Sequence, residues 1–209
     1  MSIFYRLDKN LPDGQQWNKN SLFGKARGNQ LGGGLEAIFD VKVLLYLSEK
    51  IINHIADSLQ LNADSYFKNK MNDYSFLTAP AYKALEGFLF QIATELNLPS
   101  SGNSNLAGSY YFDEIKIDKH IDKLIKELEN KTDFTSKLSI YEKRDIKDRI
   151  KEMKGFLRNY RHTPAHFYGE IIDTSEKADI NIKIIYGTIN NTAKILLTHD
   201  LIKIRNDVH

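Results

Sequence analysis

The chain contains no cysteine among its 209 residues. Disulfides, thiolate metal sites and a cysteine nucleophile are therefore excluded. It lacks a charge imbalance as well: 29 basic residues stand against 27 acidic ones, a net +2. A phosphate-binding surface would have to be a local patch and not a global field. No apolar run approaches the roughly 20 residues needed to span a bilayer. The first residues, Met1-Ser2-Ile3-Phe4-Tyr5-Arg6, lack the charged region and apolar core of a signal peptide. No membrane association and a soluble, cytoplasmic protein are expected. What is present is a 42% hydrophobic content, enough for a proper core, in a length that suits one domain or one domain with an appendage.

Residues 1–34 carry Pro12, Gly14, Gly24, Gly28 and Gly32-Gly33-Gly34, with Lys19, Lys25 and Arg27 between them. They read as an irregular Gly-rich arm or surface loop. Neither GxGxxG nor GxxxxGK[ST] occurs, so a phosphate-cradling loop finds no support there. Residues 35–203 read as an all-α bundle of about five helices, followed by a tail at 204–209. The first helix is expected from Leu35 to about Leu61, apolar around most of its circumference. A second begins after Thr78 with Pro80 near its first position, and carries Tyr82, Leu85, Leu89, Ile92 and Leu96 on one stripe. The polar stretch from Pro99 to Ser104 ends it. The third, about 113–130, turns Ile117, Ile121, Leu124 and Leu128 inward and Lys116, Lys119, Lys123 and Lys126 to water. The fourth begins near Ser139 with Ile146, Ile150, Met153, Leu157 and Tyr160 on one face. A turn at 168–175 precedes a last helix, about 176–203, built on Ile182, Ile185, Ile189 and Leu196. Its stretch from Ile180 to Tyr186 is β-branched enough to compete for strand.

The segment Arg158-Asn159-Tyr160-Arg161-His162-Thr163-Pro164-Ala165-His166-Phe167-Tyr168 carries the chemistry. Pro164 cannot sit inside a helix without losing a hydrogen bond and clashing one turn back. A break near His162 or Thr163 is expected, with Thr163 as N-cap and Pro164 at the first position of a new helix. His166 then falls in a first turn, where free N–H groups and the dipole favour an anion. On one straight helix, residues five apart diverge by about 140°. A break lets Arg161 and His166 reach one phosphate. A guanidinium neutralises that phosphate and an imidazole moves a proton near neutral pH. Seven Arg and six His in the chain make the bare spacing a weak signal; the second imidazole and the helix junction sharpen it.

Arg161-His162-x3-His166 resembles the signature of the HEPN superfamily of ribonucleases: an Arg, then Asn, His or Asp, then a His separated from the Arg by four to six residues. With Phe167 and Tyr168 it is similar to the Arg-x4-6-His-x-Tyr form of HEPN toxins paired with nucleotidyltransferase antitoxins. There the Tyr, here Tyr168, is adenylylated to silence the enzyme. Residues Ala79-Pro80-Ala81-Tyr82-Lys83-Ala84-Leu85-Glu86-Gly87-Phe88-Leu89, taken with the motif, also resemble the catalytic part of RnlA/LsoA-type RNase toxins. The resemblance implies metal-independent RNA cleavage by 2′-hydroxyl attack, with no cofactor. Arg161 and His166 would be catalytic, with His162, Arg158 and Asn159 supporting. It further implies a homodimer whose two motifs face one groove, and a cognate antitoxin or inhibitor protein. Tyr168 is either a modification or stacking residue or a packed aromatic. The alternative is a non-catalytic HEPN-like module that binds RNA or nucleotide, or a helical interaction scaffold.

The other histidines suggest less. His54 is expected buried in the first helix and His120 exposed among Lys and Asp. His199-Asp200 precedes the tail, where Arg205 and His209 are one residue short of the motif spacing. None of these histidines is read as having metal-ligand spacing with a second His or a carboxylate on one face, and no metal site is expected. Arg149 and Lys154 read as a solvated helix face.

Overall fold

The computed structural model describes residues 32–63, 71–99, 114–130, 138–156 and 171–204. These form seven α-helices and no strand: α1 Gly32–Glu36, α2 Val41–Tyr46, α3 Glu49–Ala63, α4 Ser75–Glu95, α5 Glu114–Glu129, α6 Ile140–Phe156 and α7 Ser175–Thr198. The expected all-α bundle is what the chain forms, and the β-branched stretch from Ile180 to Tyr186 is helical. Ile182, Ile185, Ile189, Ala193 and Leu196 recur at helical spacing and are all buried. That continuous stripe outweighs the modest helix penalty of β-branched residues.

α4 and α7 form the centre. α3 packs against α4, α6 against α7, and α5 against α6. α2 crosses α7 and is preceded by α1. One apolar core runs through all of them, from Leu35 and Phe39 through Phe88 and Ile92 to Tyr186 and Ile202. Every residue of the expected α4 stripe (Tyr82, Leu85, Leu89, Ile92, Leu96) is in it. Gly87 lets α3 approach closely, since a Cβ there would meet Ile51 Cγ1 at 3.1 Å. The Tyr186 hydroxyl crosses from α7 to donate to the Ile55 carbonyl of α3 at 3.3 Å. Burial pushes the Tyr186 hydroxyl well above the ordinary phenol range.

The expected single helix from Leu35 to Leu61 is instead three. Helical structure begins at Gly32, within the glycine triplet assigned to the arm, and stops at Glu36. Asp40 then caps α2 by accepting from the Lys42 N–H at 2.9 Å, while its own N–H donates to Asn190 Oδ1 of α7 at 2.9 Å. The second break, at Leu47 and Ser48, is closed by one side chain. Gln91 of α4 donates from Nε2 to the Tyr46 carbonyl at 2.8 Å and accepts from the Ser48 N–H at 3.0 Å. A side-chain amide carries a donor and an acceptor on separate atoms at its tip, so it can mend a broken helical ladder on both sides.

The other boundaries have local causes. α4 starts at Ser75, before the expected start after Thr78, and Pro80 lies inside it. The turn ahead of Pro80 is held by Asp73, which accepts from the Ser75 N–H at 2.8 Å, and by the Thr78 hydroxyl, which donates to the Ser75 carbonyl at 2.8 Å. α4 and α7 end alike. Asn97 (φ 50°) and Asp200 (φ 54°) take the left-handed conformation. The N–H groups of Leu98 and Leu201 reach back to Ala93 and Leu196 at 2.8 and 3.0 Å. This paired closure stops α7 at Thr198, short of the expected 203. α6 opens on a capping box: Glu142 accepts from the Ser139 N–H at 2.7 Å, and Ser139 Oγ accepts from the Glu142 N–H at 3.2 Å. Thr174 caps α7 by accepting from the Lys177 N–H at 3.2 Å.

In α5, Ile121 is buried and Leu124 half-buried, as expected; Ile125, outside the expected stripe, is also buried. The side chains of Lys116, Ile117 and Leu128, and residues Leu157 and Tyr160, lie outside the described residues, as do 1–31 and 205–209. No described helix is long and apolar enough to cross a membrane.

Replacing Gln91 by Leu removes both of these hydrogen bonds, so unfolding in urea should show a loss of about 2 kcal/mol. The Ser139 hydrogen bonds hold the Glu142 carboxyl below its ordinary value. Its stabilisation is therefore present above the unfolded carboxyl pKa and lost as pH falls through the lower folded value. Glu142→Gln should flatten the acid limb of a thermal-stability profile below about pH 5 and leave the neutral limb parallel to wild type.

Candidate functional site

Arg158, Asn159, Arg161, His162, His166 and Tyr168 lie outside the described residues, and so does the expected break at Thr163-Pro164. The structure describes the two ends between which they run. On one side, α6 is seated by Ile146, Ile150 and Met153, all fully buried. On the other, the Tyr74 N–H donates to the Ile172 carbonyl at 2.7 Å. Ile172 joins Tyr74, Leu77 and Ala178 in a small second cluster under the start of α7. Residues 157–170 thus connect two helices that pack against each other.

The described part of α6 carries a second feature. Lys143, Lys147 and Lys151 recur at four-residue steps and face three acidic residues of α5. Lys147 Nζ is 2.6 Å from Asp122 Oδ1, and Lys151 Nζ is 3.4 Å from Asp118 Oδ1. Lys143 Nζ is 3.1 Å from Glu129 Oε1. Residue numbers rise along α6 as they fall along α5, so the two helices run antiparallel. Within α6, Arg144 pairs with Asp148, and Arg149 with Asp145 and Glu152. Arg149 is therefore held on its own helix face, in accord with a solvated role. For Lys151, partial burial acts against the charge, but Asp118 and Asp148 outweigh it and raise the ammonium above its ordinary value. The pattern was readable in outline: Asp118 and Asp122 are four apart, and the three lysines repeat the same step on the next helix. Nothing in the spacing alone says that the two rows meet.

These pairs rim an open cleft of about 520 Å³ lined by Asp118, Asp122, Lys143, Arg144, Lys147 and Lys151, with Ile140 and Asp148 completing it. Ile140 and Tyr141, at the start of α6, are 83% and 85% exposed.

The described histidines differ from expectation. His54 is half-buried, and burial, then Lys83, lower its pKa, so it is neutral at physiological pH. His120 is half-buried and not exposed: its Nε2 lies 2.8 Å from the Leu96 carbonyl, closing the end of α4. His199 approaches Glu142 at 3.9 Å and joins the end of α7 to the start of α6. All three are accounted for by packing and helix ends. Among the described residues no group of His, Asp or Glu is arranged to hold a metal ion.

No protein-family model, no curated protein and no solved structure matches this chain.

Asp122 and Lys147 are respectively half-exposed and one-fifth exposed. A double-mutant cycle of Asp122→Asn and Lys147→Gln, read by urea unfolding, should give a coupling of no more than about 1 kcal/mol.

Proposed function

We propose that the chain is a metal-independent endoribonuclease of the HEPN type, acting in the cytoplasm as the toxic or antiviral component of a restrained system. The carrying observation is the sequence Arg161-His162-x3-His166-Phe167-Tyr168 on the connection between two long helices of an all-helical protein. The helical architecture is of the class that the resemblance implies. Of the six histidines, His120 and His199 have helix-end partners, and only His162 and His166 share one short segment with an arginine on either side of Tyr160. Net charge is close to zero, so two guanidinium groups and two imidazoles concentrated between Arg158 and Tyr168 are the kind of local site that phosphate chemistry requires.

In the proposed reaction the 2′-hydroxyl oxygen attacks the adjacent phosphorus and the bond from phosphorus to the 5′-oxygen breaks. A 2′,3′-cyclic phosphate and a 5′-hydroxyl result, with no water consumed. His166 takes or gives the proton. Arg161 binds the non-bridging oxygens as charge gathers on the phosphorane. His162 orients the phosphate or its neighbouring imidazole. One imidazole cannot readily be base and acid in the same step. A homodimer that sets two motifs across one groove supplies both, and a twofold axis would repeat each contact. An enzyme of this kind needs restraint in its host, so a cognate antitoxin or inhibitor is part of the proposal, with Tyr168 a possible point of modification.

The purified protein should cleave a labelled RNA in excess EDTA and leave cyclic-phosphate ends. Arg161→Ala and His166→Ala should each lower the rate by about a hundredfold or more. Growth of bacteria expressing wild type should arrest, while the His166→Ala strain grows. Equal growth and absent cleavage, with RNA still bound, would identify a non-catalytic binding module instead.

A further inference from the structure

One face of α7 is covered by no other part of the described bundle. Ile180 and Ile184, one turn apart, are 54% and 39% exposed. Glu176 and Lys183 stand beside them, also exposed, and neither side chain has an ion-pair or hydrogen-bond partner among the described residues. In the same stretch Lys177 is paired, with Asp173 at 2.8 Å. Two turns beyond Ile180, nothing lies within 4 Å of the place a Cβ of Gly187 would take. At 3.6 residues per turn, these five positions (176, 180, 183, 184 and 187) fall within about 100° of one another around the helix. α2 meets α7 further along, where Asn190 accepts from the Asp40 N–H. The dipole at the start of α7 favours a carboxylate at position 176, but it makes no use of Lys183 or of the two isoleucines.

Glu176 and Lys183 are seven residues apart, close to two turns, so they share one edge of the face with Ile180 between them. A second α7 can be laid antiparallel across it, about a twofold axis beside Ile180. Glu176 of each copy then meets Lys183 of the partner subunit. The two Ile180 side chains meet at the axis, with Ile184 flanking them. A parallel arrangement sets Glu176 against Glu176 and Lys183 against Lys183, and is repelled. The face is therefore complementary to itself in one of the two orientations.

We propose that this face of α7 joins two copies of the chain, with Ile180 at the twofold axis and a Glu176–Lys183 pair on either side of it. The proposal rests on the ribonuclease reading above for the need to bring two motifs together. The axis passes about 7 Å along the helix from the start of α7, which is the end that residues 157–170 join. Four isoleucines and two exposed ion pairs make a smaller interface than the roughly 1,600 Å² of a standard stable complex. The dimer is accordingly a weak one, formed at micromolar concentration.

The full-length protein is used throughout. Sedimentation of wild type should show a monomer–dimer equilibrium that weakens with added salt. Glu176→Lys and Lys183→Glu should each weaken it about tenfold, because each sets two pairs of like charges together; the double exchange should restore it to within about threefold. Both positions are exposed, and unchanged melting temperatures confirm that the fold is intact. The chain has no cysteine, so a single introduced one reports where copies meet. Ile180→Cys should give a disulfide-linked dimer under mild oxidation, while Ile140→Cys, at a position 83% exposed on α6, should not. Wild type that stays monomeric throughout the micromolar range overturns the proposal. So does a dimer indifferent to both charge reversals, or one that cross-links through Ile140→Cys as readily as through Ile180→Cys. The ribonuclease reading fails separately: dimers that obey the charge exchange but cleave no RNA would refute the chemistry and leave the face standing.

Discussion

The path of the chain through this protein depends on the two hydrogen bonds of one buried glutamine. A break between two helices exposes a carbonyl on one side and an N–H on the other, and burying either without a partner is costly. Gln91 meets both, at Tyr46 and Ser48, from a position on α4. α4 also packs against α3 and α7, so the bend is tied to the central helix of the bundle. The contacts around it follow the same logic. The Tyr46 hydroxyl donates to Glu95 one turn further along α4, and the other oxygen of that carboxylate accepts from the Lys203 N–H. One end of α4 therefore gathers the early helices and the chain beyond α7 by polar contacts, while Phe88 and Tyr46 meet edge to face beneath them.

The two sides of the bundle are held by different physics. α3, α4 and α7 share isoleucine, leucine and aromatic side chains with almost no exposure. The α5–α6 pair buries Ile121, Ile125, Ile146 and Ile150 on its inner side and carries alternating charge on its outer side. Apolar burial is insensitive to salt, whereas ion pairs between partly exposed groups contribute little and exchange partners readily. The first kind of contact fixes the scaffold, and the second links α5 to α6 more loosely.

Much of the architecture was legible because helical periodicity is strong here. The stripes from Tyr82 to Leu96 and from Ile182 to Leu196 are buried as the spacing of their apolar residues predicts. What the spacing missed were interruptions imposed from a distance. Nothing between Leu35 and Leu61 announces that Gln91 and Asn190 will stabilise breaks there, because those partners lie 43 and 150 residues from the groups they bind. Asp200 looked like one more residue of the last helix, yet it adopts a left-handed conformation that an aspartate tolerates, and the helix stops before it. His120 sits among charged residues in sequence, but the carbonyl of Leu96 draws it inward. The candidate catalytic residues were named from residue type, spacing and a resemblance to a known signature, all of which are local; the cleft beside α6 was not, since it required two rows of opposite charge to be placed face to face.

By itself, then, the order of residues determined the helical class and the buried stripes, and it named the segment from Arg158 to Tyr168 as a candidate site. These follow from backbone periodicity and from the intrinsic properties of side chains, which are local. Only the tertiary structure decided where the first helix divides, which histidines serve as helix-end contacts, and that the lysines of α6 stand opposite the aspartates of α5. Each of those rests on a partner far away in the chain, and a partner at that distance is chosen by packing.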